Sequence, residues 1–127
     1  MDDRQNNIAD MNRLMTMPWR KMMAVVFRWL DGKDARRRDL ALLIFRRNAQ
    51  LAARWLAGEL LAPKKRLEQR LQILDALDLL DSPMPAEVFF DLSFAAHRFG
   101  FVVAARIARL LQAGARAAAG PSNGRAN

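Results

Sequence analysis

A chain of 127 residues with 52% hydrophobic content has room for one domain and ample material for its core. Without cysteine and with one histidine, it cannot build disulfides, thiolate zinc sites or thiol catalysis. The formal net charge of +8 rests on arginine more than lysine, a bias that a GC-rich genome would produce as readily as selection for an anionic partner.

Alanine and leucine dominate, β-branched residues are scarce and tyrosine is absent, a balance that predicts an all-α fold. Residues 1–16 are polar apart from Ile8, Met11, Leu14 and Met15, and their spacing predicts a frayed helix or a docking arm. A helical domain is expected over 17–114. Its first helix begins with Thr16 or Met17 as cap and Pro18 in the first turn, and it ends at Asp31-Gly32. Asp34 then caps a second helix running to about Leu61, which Ala62-Pro63 terminates.

A third helix extends from Pro63 to about Asp81, with Leu67, Leu71, Leu74 and Leu77 as its apolar stripe. Ser82-Pro83-Met84-Pro85 is a turn, and a fourth helix follows from about Ala86 to Gln112 on Val88, Leu92, Ala95, Phe99, Val103 and Leu110. Gly100 then lies within a helix, where it allows close approach or a kink. The remainder, 115–127, reads as a disordered tail. The predicted architecture is two antiparallel helix pairs forming a four-helix bundle or a short stack, with an optional N-terminal helix.

Leu51-Ala52-Ala53-Arg54-Trp55-Leu56-Ala57-Gly58 can be laid on Phe94-Ala95-Ala96-His97-Arg98-Phe99-Gly100 at an offset of about 43 residues. Leu80-Asp81-Ser82-Pro83, followed by Glu87-Val88 and Ala95-Ala96, resembles the turn and second helix of a HEAT repeat. Phe89 stands where that family carries arginine, and the Ala-Ala pair falls one turn late. The resemblance to HEAT and armadillo proteins implies a stacked scaffold that binds other proteins.

Reagents for catalysis are few. His97 stands among phenylalanine and alanine, the serines lack a nucleophile context, and the six glycines are scattered with no phosphate-binding loop. No catalytic residue, metal site, cofactor or small-molecule substrate is expected. Asp75, Asp78 and Asp81 collect at a helix C-terminus and Arg36, Arg37 and Arg38 in a helix first turn, each against the macrodipole. Antiparallel connectivity would bring the two clusters together, and Lys64, Lys65 and Arg66 beside Glu59.

Helices one, two and four carry more apolar surface than one buried stripe needs. The expected function is therefore a non-catalytic protein–protein interaction module, its partner another protein or its own copy. Trp19, Met23, Arg47, Arg54 and Trp55 are the contact candidates, because Trp and Arg dominate interface energetics. The alternative is nucleic-acid binding through Arg36, Arg37, Arg38, Arg47 and Arg54, since Arg36, Arg47 and Arg54 align on one continuous helix. Trp19, Trp29, Arg20, Lys21 and Arg28 would suit an anionic membrane surface, but their spacing equally describes a core stripe. Met1 to Asn7 lack the segments of a secretory signal, and no uncharged run approaches the roughly 20 apolar residues of a span, so a cytoplasmic setting is expected.

Overall fold

The computed structural model describes residues 3–125, with side chains from Arg4 to Ala113. Among the described residues it is all-helical, with seven α-helices and no strand. None of these helices is long and apolar enough to cross a membrane. The chain divides into two compact units, residues 1–48 and 49–127.

The first unit comprises α1 (Asp3–Met15), α2 (Trp19–Leu30) and α3 (Ala35–Arg47), and α3 packs against both others. Residues 3–15 thus form a regular helix whose Leu14 is buried. Met23 and Val26 of α2 and Leu40, Ala41, Ile44 and Phe45 of α3 fill the rest of this core. Thr16 does not cap α2. Its hydroxyl donates to the Arg13 carbonyl at 2.7 Å and closes α1, while extended Pro18 precedes the first residue of α2, Trp19. Asp34 caps α3 as its position suggests, its Oδ1 accepting from the backbone N–H groups of Arg36 and Arg37.

The second unit comprises α4 (Ala49–Leu61), α5 (Leu67–Leu79), α6 (Ala86–Arg98) and α7 (Phe101–Arg125). Here α4 packs on α5 and α6, and α7 packs on the same two helices. Ala52, Ala53, Leu56, Ala57 and Leu60 meet Ile73, Leu74, Ala76 and Leu77, with Val88, Leu92, Ala95, Val103, Ile107 and Leu110 completing the interior. Alanine on the inward side of α4 keeps those backbones close.

Two helices expected to be continuous are each divided. Residues 34–61 break at Asn48, whose Nδ2 donates to the Ile44 carbonyl at 2.8 Å. The Asn48 backbone N–H donates to the same carbonyl at 3.1 Å, and Asn48 itself leaves helical geometry at φ = −119° and ψ = 40°, which ends α3. Residues 86–112 break at Phe99-Gly100, where Gly100 has φ = +94°. Gly100 is therefore a helix terminator and not a mid-helix contact. The turn through Ser82 and Pro85 stands where expected, entered from Asp81 at φ = 52°, a conformation that aspartate tolerates better than most residues. Helical backbone reaches Arg125, so the expected tail, 115–127, begins within α7. Ala126 and Asn127 lie outside the described residues.

Candidate interaction surface

The arginine cluster of the first unit has internal partners. Arg36 Nη1 donates to Asp10 Oδ2 at 2.9 Å and to Asn7 Oδ1 at 2.8 Å. Arg37 reaches both Asp10 oxygens at 3.4 Å, and its guanidinium lies 4.9 Å from the centre of the Trp29 ring. Arg38 Nη1 donates to the Gly32 carbonyl at 2.9 Å. The counter-charge is thus Asp10 of α1, whereas Asp78 and Asp81, the partners expected from connectivity, belong to the second unit. That expectation treated residues 34–61 as one helix and α1 as a detached arm.

Asp10 is 7% exposed. Burial alone would raise its pKa, but the hydrogen bonds and charges of Arg36 and Arg37 outweigh that cost and hold it below 3.8.

Within the second unit the acidic end of α5 is answered by α7. Asp75 pairs with Arg106, and Asp78 shares a shallow groove with Arg106 and Arg109. The groove carries both signs of charge. Lys65 bonds Glu59 at 3.0 Å, the contact anticipated beside the end of α4. Arg70, absent from the sequence reading, is 5% exposed and stacks 3.7 Å from the centre of the Phe99 ring. Its Nη2 donates to the Ala62 carbonyl at 2.8 Å and its Nη1 to the Lys65 carbonyl, while Nε has no partner among the described residues. Burial, and secondarily the charge of Arg98, lowers the Arg70 pKa. Arg70 is therefore a structural clamp between the loop after α4 and the end of α6. The signal was available in its place on the leucine stripe of α5, one residue before Leu71.

The contact candidates are dispersed. Met23 is 0% exposed and belongs to the core of the first unit, which removes it from any interface. Its position in a 3–4 stripe was the core signal. Trp19 is partly exposed beneath Arg20, at 5.3 Å, and Trp55 is half-buried. Arg47 is exposed at the end of α3. Arg54 pairs with Glu87 across α4 and α6. The arginine alignment of Arg36, Arg47 and Arg54 required a continuous helix, and the break at Asn48 removes it.

The largest exposed side chains lie elsewhere. Phe90 is 77% exposed, Phe94 54% and Phe101 85%. On α6 the residues Val88, Leu92 and Ala95 face inward, so Phe90, Phe94 and His97 at i, i+4 and i+7 form the opposite stripe. Arg98 lies beside it, 5.6 Å from the centre of the Phe94 ring, and Glu87 stands at its other end. The sequence shows these phenylalanines as excess apolar residues, and comparing their wheel positions with Val88 and Leu92 would have put them outside.

No three His, Cys, Asp or Glu side chains gather as a metal ion would require, among the described residues. Comparison with protein families, curated proteins and solved structures finds no match.

Proposed function

We propose that the chain is a non-catalytic protein–protein interaction module whose contact surface is the outer face of α6. The observation that carries this reading is the exposure of Phe90 and Phe94 one turn apart, with charged residues at both ends. Isolated apolar residues on a surface need no explanation, but paired aromatics on one helix face match the composition of interface centres. The two hairpins α4–α5 and α6–α7, packed first helix on first and second on second, support a finer reading as a short bundle or HEAT-like pair, in which α6 is the first helix of its hairpin and not the second as the resemblance at 80–83 implied. In that reading α4 and α6 are equivalent, although Ala49 and Ala86 open them at a shorter interval than the register of about 43 residues suggested.

The test is a photo-crosslinking phenylalanine analogue placed at position 94 of the chain expressed in its native host. Adducts to protein are expected from position 94 and not from Ala105, an exposed control on α7. No adduct at either position would overturn the reading.

Nucleic-acid binding remains the second class of function and has less support. Arg36, Arg37 and Arg38 are engaged by Asp10 and the Gly32 carbonyl, and Arg54 by Glu87, which leaves Arg47 as the member of that set without an ion pair among the described residues. Binding of labelled RNA or DNA at low salt, lost on Arg47→Ala, would restore it.

A further inference from the structure

We propose that the partner of the α6 face is a second copy of this chain, docked antiparallel through α6 on α6. The inference rests on the interaction-module reading above and names its occupant.

The stripe carries its charges in order. Glu87 and Asp91 occupy the N-terminal half, Phe90 and Phe94 the middle, and His97 and Arg98 the C-terminal end. The macrodipole favours this order within one helix, because carboxylates suit its positive end and cations its negative end. The same order makes the face self-complementary under a two-fold rotation. An axis crossing α6 at the level of Leu92 sends Phe90 onto Phe94 of the copy and Glu87 onto its His97, with Arg98 beside its Ala86.

Helical rise supports the register. Phe90 and Phe94 are about 6 Å apart along the axis, and Glu87 and His97 about 15 Å, so one axis serves both pairs. A uniformly acidic or basic partner would meet like charge at one end, whereas a reversed copy meets opposite charge at both and opposes the two macrodipoles. Glu87 pairs with Arg54 within the chain, so the copy's basic end shares that carboxylate with Arg54, while Arg98 beside Phe94 frames the aromatic pair.

Area decides how tight the dimer is. At roughly 200 Å² per phenylalanine, the exposed parts of Phe90 and Phe94 offer about 260 Å² per copy. Glu87, Asp91, His97 and Arg98 enlarge the patch, yet it remains below the ~800 Å² per partner of a standard stable complex. The dimer is therefore a reversible one, populated according to concentration.

Sedimentation of the full chain from micromolar to millimolar concentration tests this. The wild type should pass from monomer to dimer, and Phe90→Asp with Phe94→Asp should weaken association by about thirtyfold or more. Glu87→Lys should weaken it, and Glu87→Lys with Arg98→Glu should restore it, which a nonspecific apolar contact would not do. Circular dichroism verifies that each variant is folded, and Phe94→Ser replaces the aspartates if they disturb the helix. A wild type that stays monomeric at millimolar concentration overturns the proposal, as does a dimer indifferent to the double phenylalanine change. A monomeric wild type that still crosslinks from position 94 to a different protein overturns self-pairing and leaves the interaction-module reading standing.

Discussion

Among the described residues Asp10 and Arg70 are the two charged residues that the fold takes in, and each has a measurable consequence. Asp10 has its pKa lowered in the folded chain, so its contribution is complete above the unfolded value near 4 and lost as pH falls through the folded one. Asp10→Asn should cost about 2 kcal/mol at neutral pH, and the variant should lose less of its stability than the wild type between neutral pH and strong acid. Denaturant titrations at the two pH values read both effects. Arg70→Ala removes donors from two carbonyls and the cation from the face of Phe99, and should cost about 3 kcal/mol by thermal unfolding. Arg70→Lys should recover little, because an ammonium cannot span both carbonyls and stack on the ring.

At the scale of the element, helix ends decided more than helix interiors. Gly100 holds a positive φ with open space where a Cβ would stand, so Gly100→Ala meets no clash and its cost is backbone strain alone. About 1–2 kcal/mol is expected from chemical denaturation. Asn48→Ala removes the side-chain bond to the Ile44 carbonyl and raises helix propensity at the break, so exchange of the amide hydrogens at residues 48–50 should slow. The inward stripes of α6 and α7 were legible because leucine and valine recur at helical spacing, and Asp34 and Pro85 marked two helix starts; on α5 the stripe was half right, since Leu74 and Leu77 are buried with Arg70 and Ile73 while Leu67 is 50% exposed. The breaks were not legible. Asparagine and glycine occur inside helices as well as at their ends, and the backbone angles that settle which, φ = −119° at Asn48 and +94° at Gly100, are not written in residue type. The candidate surface was half legible for the same reason: Phe90, Phe94 and Phe101 showed as surplus, but weighting Trp and Arg by interface statistics pointed to Trp19, Met23 and Trp55, two of them buried or half-buried.

For the molecule as a whole, the division at Asn48 changes how the +8 charge is to be read. Arg36 and Arg37 hold α1 to α3 through Asp10, and Arg54 and Arg106 pair with Glu87 and Asp75 across helices of the second unit. Several arginines that resembled a binding stripe are thus cross-links between helices. Hydrogen exchange can test the division directly. Asp10→Asn should raise exchange in α1–α3, and an equal rise through α4–α7 would show one cooperative body in place of two.

The Asp10–Arg36 contact joins residues 26 positions apart, and both partners lie before Asn48. During synthesis, every group needed to close the first unit has therefore been polymerised before the first residue of α4 is added. Domains fold as units as they emerge, the N-terminal one first. The break at Asn48 gives this chain an assembly order as well as a boundary: the acidic residue that neutralises the α3 arginines is already in place when they appear, and α4–α7 then fold onto apolar partners of their own.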